Sequence, residues 1–162
     1  MDAKIEVVPL SFPEGTNIEV GQSHFNKTAE DIAEIMAGTV PGAQYGLAFS
    51  EASKPCLVRT EGNDPALVAA AVACARAVGA GHAFYLVLKG CYPINVLNQL
   101  KSCPEVARIF CATANPLQAI VARTPLGAGI MGVIDGESPK GVETDADRAD
   151  RRALLRKFGY KF

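Results

Sequence analysis

The fold is indicated most clearly by residues 64–88, which read DPALVAAAVACARAVGAGHAFYLVL. Asp64 is of a residue type that caps helices, and Pro65 suits the first helical position, where an N–H has no partner. Apolar side chains then recur at helical spacing until Gly79, a natural C-terminal stop. Ala83–Leu88 is continuously apolar, which indicates a strand covered on both faces. The stretch therefore predicts a helix that leads into a buried strand.

Shorter patterns on both sides of this stretch predict further elements. They indicate strands at Ile5–Val8, Thr16–Val20, Tyr45–Phe49, Cys56–Thr60, Val106–Thr113, Leu117–Arg123 and Gly129–Ile134, and helices at Ala29–Ala37, Pro93–Ser102 and Asp145–Phe158. Turn residues at Asn115-Pro116 and Thr124–Gly127 predict that the last three strands form an antiparallel meander. We therefore expect an α/β fold with α+β character, in which helices pack on a mixed sheet that ends in this meander.

Length and composition predict a single domain. The chain has 162 residues, enough for one domain and short for two, and 49% of them are hydrophobic, which supports an ordinary core. No linker, repeat or low-complexity tract interrupts it. We expect one domain over residues 1–143. A charged helix and tail over residues 144–162 would dock on the same domain or on a neighbouring subunit.

Charge and composition exclude several classes of partner. The 16 basic and 17 acidic residues give a net charge of −1, so there is no basic excess to attract nucleic acid, and Trp is absent. The first residues lack the pattern of a secretory signal, and no apolar run approaches the roughly 18 residues that span a bilayer. We expect a soluble cytoplasmic protein that binds neither nucleic acid nor membranes.

The cysteines are predicted to be reduced structural thiols rather than a zinc site. There are five of them, an odd number, and they are widely spaced without any C-x-x-C pair: Cys56, Cys74, Cys91, Cys103 and Cys111. Only two histidines are available as further zinc ligands.

One glycine-rich motif matches the sequence of a nucleotide-binding pattern but not its structural context. Residues 127–132, GAGIMG, fit G-x-G-x-x-G, but they fall in a turn and an apolar strand, whereas a dinucleotide fingerprint opens a helix. Tight turning and close strand packing explain these glycines better. The chain also lacks a P-loop and a G-x-S-x-G nucleophile elbow.

Two histidines are the candidates for nucleophilic or proton-transfer chemistry. His82 follows Gly79-Ala80-Gly81, where glycines allow a sharp turn and leave space beside the ring. His24 lies in a polar loop before the first long helix. An imidazole nitrogen is a competent nucleophile near neutral pH. The residues alone do not rank the two histidines.

Several polar residues at predicted element ends are candidates for binding a phosphorylated ligand, since ligand sites in α/β proteins form at such ends. Asn95 and Asn98 share one face near the start of a short helix, and the others lie at strand ends or in turns: Arg59, Arg108, Asn115, Asp135, Glu137 and Lys140. Asp135, Glu137 and Lys140 could hold a magnesium–phosphate group or form an ordinary solvated turn.

Seven phrases taken together resemble one family. They are GQSHF at 21–25, FSEAS at 49–53, LVR at 57–59, GAGH at 79–82, YPINVLN at 92–98, RIFCATANP at 108–116 and GVIDG at 132–136. In this order they resemble the adenosine-specific kinase family of small prokaryotic proteins, over about residues 4–143. The resemblance implies a compact α/β subunit in homotrimers or homohexamers, binding of adenosine or of adenine nucleotides such as ATP, and a phosphohistidine.

The resemblance leads to a hypothesis for each candidate residue. His82 is the first choice for phosphorylation and His24 the second. In the hypothesis Arg59, Arg108 or Lys140 offsets phosphate charge, Asn95, Asn98 and Asn115 contact the nucleotide, and Asp135 or Glu137 holds Mg²⁺. The alternative is an adenine-nucleotide-binding or sensing module without turnover, which the missing P-loop favours. In that alternative a phosphohistidine would be a stable mark.

Overall fold

The computed structural model describes residues 2–162 and contains eight strands, four α-helices and one 3₁₀ turn. Strands are β1 (Lys4–Leu10), β2 (Asn17–Ser23), β3 (Gln44–Ser50), β4 (Val58–Gly62), β5 (Ala83–Lys89), β6 (Val106–Thr113), β7 (Leu117–Thr124) and β8 (Gly127–Asp135). Helices are α1 (Thr28–Thr39), α2 (Pro65–Val78), α3 (Leu97–Ser102) and α4 (Asp145–Lys157), and the 3₁₀ turn Pro93–Asn95 precedes α3. None of the helices in this part of the chain is long and apolar enough to cross a membrane.

Helix α2 has the caps that the sequence predicted. The Asp64 carboxylate accepts hydrogen bonds from the backbone N–H groups of Ala66 at 2.9 Å and Leu67 at 3.2 Å. Gly79 takes a left-handed conformation, φ 66°, which costs little without a Cβ, and its N–H donates to the Ala75 carbonyl at 2.9 Å. The predicted helix and the buried strand after it are both confirmed.

The strands form two antiparallel sheets, so the predicted α+β character is confirmed. The larger sheet has the order β4-β3-β5-β2-β6, and the smaller one has the order β1-β7-β8. The expected mixed pairing is replaced by antiparallel ladders throughout. A single isolated parallel bridge joins Ala80 to Ala128. Strand β5 is continuously apolar because both of its faces are covered, a pattern more typical of parallel sheets.

The predicted three-strand meander is only partly formed. Strands β7 and β8 make the expected hairpin, but β6 pairs with β2 in the larger sheet. The chain changes sheets at Asn115-Pro116, where the Asn115 N–H donates to the Thr113 hydroxyl at 3.0 Å and the Pro116 carbonyl accepts from Gly136 N–H at 2.9 Å. The turn at Asn115-Pro116 therefore carries the chain from the larger sheet to the smaller one and does not form a hairpin.

Strand β5 separates the two parts of the core. Ala83, Tyr85 and Val87 belong to a cluster with residues of α2 and the smaller sheet. Phe84, Leu86 and Leu88 alternate with them and pack with residues of α1 and α3. This period-two alternation makes β5 the central strand of a layered structure, with α2 and the smaller sheet on one face and α1 and α3 on the other.

Helix α2 approaches β3 without an intervening side chain. At Gly46 a Cβ atom would lie 2.1 Å from the backbone of both Leu67 and Val68. Only glycine allows this backbone contact, because real Cβ atoms do not come so close to a neighbouring main chain. This close approach of α2 to β3 therefore requires glycine at position 46.

Arg123 joins the smaller sheet to the end of α2. Its Nη1 and Nη2 donate to the carbonyls of Val78 at 2.9 Å and Ala77 at 3.0 Å, and its Nε donates to the Glu6 carboxylate at 2.5 Å. The last carbonyls of a helix have no partner within the helix, and a cation is favourable beside them. The guanidinium thus provides hydrogen-bond donors for the last carbonyls of α2 and connects this helix to β1 and β7.

Replacement of Arg123 with methionine is expected to lower the free energy of unfolding by about 2 kcal/mol, since hydrogen bonds to charged groups contribute roughly 1.5–3 kcal/mol. Urea denaturation at pH 7 measures the change. Arg152 on α4 is exposed, and the same replacement there should change stability by less than about 0.5 kcal/mol. Equal effects at the two positions would contradict the role given to Arg123.

Candidate functional site

The connection between α2 and β5 holds His82 in an uncommon backbone conformation. Its φ is 58°, in the left-handed region that non-glycine residues seldom occupy. Two hydrogen bonds fix it there: the His82 N–H donates to the Ser50 carbonyl at 2.7 Å, and the His82 carbonyl accepts from the Ser23 N–H at 2.8 Å. The His82 backbone therefore links the end of β2 to the end of β3. Its strained conformation lies where β2, β3 and the start of β5 meet.

One face of the His82 ring is packed and its nitrogens are left without a protein partner. The imidazole stacks on Phe49, with ring centroids 6.0 Å apart and an interplanar angle of 10°, and the residue is half-buried. No hydrogen bond from another side chain reaches the imidazole among residues 2–162. A ring that is oriented by stacking and has unpaired nitrogens can act as a nucleophile.

His24 lies at the same end of the larger sheet. It follows β2, whose last residue, Ser23, hydrogen-bonds His82, and its N–H donates to the Glu105 carbonyl at 3.0 Å. The side chain of His24 is exposed and stacks with Phe25 at 6.3 Å. Because β2 and β5 are antiparallel neighbours, the end of one meets the start of the other. The sheet therefore brings the two histidines to one edge.

Two of the predicted arginines also lie at this edge. Arg59 pairs with Phe49 across β3 and β4, and its Nη2 contacts the buried Glu51 carboxylate at 2.6 Å. Arg108 pairs with Gln22 across β2 and β6, and its guanidinium lies 5.9 Å from the Phe110 ring centroid. The edge thus has two positive groups near the histidine-bearing loops. Arg59 is partly neutralised by Glu51.

A cavity of about 720 Å³ opens beside the residues that precede His82. It lies between the β7–β8 hairpin, the end of α2 and the loop after β3. Its walls are mostly apolar and include Ser50, Glu51, Ala52, Cys56, Val58, Ala75, Arg76, Gly79, Ala80, Gly81, Ala122, Thr124, Leu126, Gly127, Ala128 and Gly129. Volume and lining are those of a site for a small organic ligand, apolar with a few polar groups.

Glycines bring the cavity walls together. At Gly81 a Cβ would lie 2.8 Å from the Ala52 Cβ, so the loop after β3 can approach only a glycine there. A second cavity of about 130 Å³ shares Ala80, Gly81, Ala128 and Gly129 with the first. Ala80 and Gly81 therefore form part of a wall common to both cavities.

Sequence reasoning missed most of this cavity. Ser50, Arg76 and Thr124 supply polar groups to it, and none of them is among the site residues predicted from the sequence. The available signal was the run GAGIMG at 127–132, whose first residues face segment 79–81 across the Ala80–Ala128 bridge. These glycines are not a dinucleotide fingerprint, but they do line the cavity.

The other predicted residues lie away from the histidines. Thr113 pairs with Ile18 near the start of β2, about 16 Å along that strand from Ser23 at roughly 3.3 Å per residue. Here the Asp135 carboxylate accepts from the Thr113 hydroxyl at 2.7 Å and from the Asn115 amide at 3.0 Å. Asp135 and Asn115 therefore form a group of their own at the opposite end of the larger sheet.

Asn95, Asn98, Glu137 and Lys140 are not brought to the histidine edge either. The Asn95 amide oxygen accepts from the Tyr92 N–H at 2.9 Å and so caps the 3₁₀ turn that follows β5, and Asn98 is on α3. Glu137 and Lys140 pair with each other at 2.5 Å, and 77% and 79% of their side chains are exposed. Their proposed contacts with a nucleotide remain predictions.

Two glutamates are buried without adequate partners. Glu19 on β2 is fully buried, and neither of its carboxyl oxygens has a hydrogen-bond partner among the described residues. Burial raises the pKa of Glu19 to about 8. Glu105 is 1% exposed and its oxygens also accept no hydrogen bond, although Lys27 Nζ lies 3.3 Å from Oε2. Buried carboxyl groups of this kind are costly and usually have a specific reason.

Comparisons with known proteins cover nearly the whole chain. The family model described as "Adenosine specific kinase" matches residues 8–161, which include α4 as well as the sheets. The crystal structure of the PH1918 protein from Pyrococcus horikoshii OT3 is similar, with 44% sequence identity, a TM-score of 0.94 and coverage of 99% of each chain. A comparison with the curated proteins gives no match.

Proposed function

Because the chain belongs to the adenosine-specific kinase family, whose name indicates kinase activity related to adenosine, we propose that it binds adenosine or an adenine nucleotide and transfers a phosphoryl group through a phosphohistidine. His82 is the proposed carrier. The observation that carries the proposal is the His82 imidazole, whose nitrogens have no partner among the described residues. His82 directly follows residues 79–81 in the wall of the 720 Å³ cavity, although His82 itself does not line that cavity.

The cavity supports a nucleoside as the ligand. Its apolar walls at Ala75, Ala122 and Leu126 suit the faces of an adenine ring, and Ser50 and Thr124 offer hydroxyls to polar atoms of the ligand. The Arg76 side chain is a positive group in the same walls. In this arrangement the base occupies the cavity and the phosphates extend towards the histidine edge.

The proposed transfer has two steps. In the first, an imidazole nitrogen of His82 attacks the γ-phosphorus of ATP, an N–P bond forms, and the bond between that phosphorus and the β,γ-bridging oxygen breaks as ADP leaves. In the second, a hydroxyl of the acceptor attacks the phosphorus, the N–P bond breaks with its electron pair returning to the imidazole nitrogen, and the hydroxyl proton passes to solvent. Arg59 and Arg108 offset phosphate charge at this edge, since phosphoryl transfer depends mainly on positioning and electrostatics.

The predicted nucleotide-binding residues that lie away from the histidines fit the proposal if the chain forms a homo-oligomer. We propose a domain over residues 1–143 that forms a homotrimer or homohexamer, with α4 docked on a neighbouring subunit. Helix α4 supports this: it has no buried residue, and Leu154 and Phe158 are 49% and 54% exposed. In such an assembly Asn95, Asn98, Asn115 and Lys140 would contact the nucleotide of a neighbouring subunit.

Mg²⁺ is the cofactor that ATP usually brings, and Asp135 and Glu137 are its proposed ligands. Asp135 Oδ1 accepts two hydrogen bonds, and Oδ2 accepts none within the part of the chain that the structure describes. Carboxylate oxygens together with water are the ligands that Mg²⁺ takes, so these residues fit the ion. When bound, it would neutralise charge on the phosphates.

The test uses purified full-length protein incubated with γ-labelled ATP. We expect an acid-labile, alkali-stable label on the wild type and on His24→Ala, and loss of the label in His82→Asn. Asparagine is the chosen replacement because it tolerates the left-handed backbone at this position. A label that persists in His82→Asn and disappears in His24→Ala would overturn the assignment to His82.

The alternative of a binding module without turnover is favoured by one observation. Arg76 is the only arginine or lysine among the cavity-lining residues, and no P-loop is present to hold a triphosphate. Thermal stabilisation by adenosine or AMP without any label from ATP would support this alternative. Absence of stabilisation by every adenine compound would contradict both functions.

A further inference from the structure

Three groups able to bind a metal ion meet beside the first turn of α1, outside the cavity. They are a carboxylate oxygen of Asp31, the Sγ of Cys103 and a carboxylate oxygen of Glu105, and all three atoms lie within 4.8 Å of one another. Asp31 belongs to α1, Cys103 caps the end of α3, and Glu105 directly precedes β6. We call this set the Asp31–Cys103–Glu105 cluster.

Glu105 is the observation that points to a ligand. It is 1% exposed, and neither of its carboxyl oxygens accepts a hydrogen bond from any described residue. Its one ionic contact there is with Lys27 Nζ, 3.3 Å from Oε2. A carboxylate removed from water is normally compensated by several donors or by a metal ion. Glu105 has much less than this, and it faces two other groups of the kind that metals use.

The Lys27 ammonium lies where a bound metal ion would lie, and it is able to move away. It contacts the carboxylates of both Asp31 and Glu105. The Lys27 side chain is 45% exposed, so it can turn into solvent at little cost. A divalent ion would replace one positive charge with two, beside two carboxylates and one ionised thiol.

We propose that Asp31, Cys103 and Glu105 bind one divalent ion of the Zn²⁺ class, with water completing the coordination. One thiolate with two carboxylates is a donor set for Zn²⁺ and not for Mg²⁺, which takes oxygen ligands alone. On binding, the Cys103 S–H bond breaks, the proton passes to solvent and an S–metal bond forms. A bound divalent ion stabilises the thiolate that coordinates it, so ionisation of Cys103 accompanies binding of the ion.

The site would fix the loop that carries His24. The Glu105 carbonyl accepts hydrogen bonds from the His24 N–H and the Ser23 hydroxyl, both at 3.0 Å. The Ser23 hydroxyl also contacts that of Thr28, the first residue of α1. An ion held by Asp31, Cys103 and Glu105 would therefore join α1, α3 and β6 beneath this loop. The proposed site is independent of the phosphoryl transfer.

The test titrates metal-free, full-length protein with Co²⁺, whose bond to a thiolate gives an absorption band in the near ultraviolet. We expect one equivalent of Co²⁺ to produce the band, Zn²⁺ to abolish it by displacement, and Zn²⁺ but not Mg²⁺ to raise the melting temperature. The band should disappear in Cys103→Ser and persist in Cys56→Ser, the matched control at an exposed thiol. Lys27→Met should bind the ion about tenfold more tightly, because a competing positive charge is removed.

Three outcomes would overturn the proposal: no band with wild type, a band that survives in Cys103→Ser, or a band that is lost in Cys56→Ser. Asp31→Asn provides a second variant if Cys103→Ser does not fold, since Asp31 is partly exposed and this change keeps its shape. We expect Asp31→Asn to weaken Co²⁺ binding with little loss of stability in the metal-free state. Unchanged Co²⁺ affinity in Asp31→Asn would also contradict the site.

Discussion

Replacing Gly46 with alanine is expected to lower the free energy of unfolding by about 3 kcal/mol or more, at the upper end of the cost of overpacking. The added Cβ would lie 2.1 Å from backbone atoms of Leu67 and Val68, and a main chain cannot rotate away as a side chain does. Helix α2 would have to move off β3 as a whole, which would loosen its contacts with β5. Because total stability is typically about 5–15 kcal/mol, this is a large fraction of it.

Urea denaturation of the two proteins measures this effect, and Gly42→Ala is the matched control. No atom lies within 4 Å of a Cβ placed at Gly42, and its φ is not in the left-handed region, so the methyl group meets nothing there. We expect Gly42→Ala to change stability by less than about 1 kcal/mol. A Gly46→Ala protein as stable as Gly42→Ala would show that α2 does not rest on β3 as described.

Replacing Glu19 with glutamine is expected to stabilise the protein on the order of 4 kcal/mol at pH 8.5, and hardly at all near pH 4.5. Glu19 is fully buried, and burial raises its pKa from 4.5 to about 8 in the folded state. The unfolded chain therefore loses this proton more readily than the folded one. Deprotonation favours unfolding, so the wild type loses stability as pH rises from about 4.5 to 8, and glutamine removes that loss.

Denaturation curves of wild type and Glu19→Gln between pH 4.5 and 8.5 test this prediction. The control is Glu34→Gln on α1, an exposed glutamate whose replacement should leave the pH profile unchanged. A difference between wild type and Glu19→Gln that is the same at every pH would contradict a raised pKa. If the wild type instead becomes more stable relative to Glu19→Gln as the pH rises in this range, the pKa of Glu19 is lowered on folding, and the prediction is wrong.

Local signals made helix α2 and strand β5 predictable from the sequence. Asp64, Pro65 and Gly79 determine the ends of the helix through their own backbone chemistry, which needs no knowledge of distant residues. Strand pairing is different, because a continuous apolar run such as Ala83–Leu88 indicates two covered faces and leaves the direction of its neighbours open. The antiparallel order and the sheet change at Asn115-Pro116 therefore came only from the structure.

The candidate site was predictable to a similar degree. His82 and His24 were found from their residue type and surroundings, but 58 positions separate them, and only the pairing of β2 with β5 places them at one edge. Asn115 and Asp135 were grouped with them by the rule that ligands bind at element ends. That rule does not say which end, and the structure puts these two at the other end of the larger sheet.

Strand order also determines how this chain can fold. In the larger sheet β2 lies between β5 and β6, and in the smaller sheet β1 pairs with β7. Glu6 and Arg123, which bond directly, are 117 residues apart. Strand β1 thus waits for its partner β7 from the second half of the chain, and closing such a long loop costs entropy before the contact forms. Four strands of the larger sheet lie within residues 17–89 and can pair early, but the smaller sheet needs β7, so folding during synthesis ends only after β7 has left the ribosome.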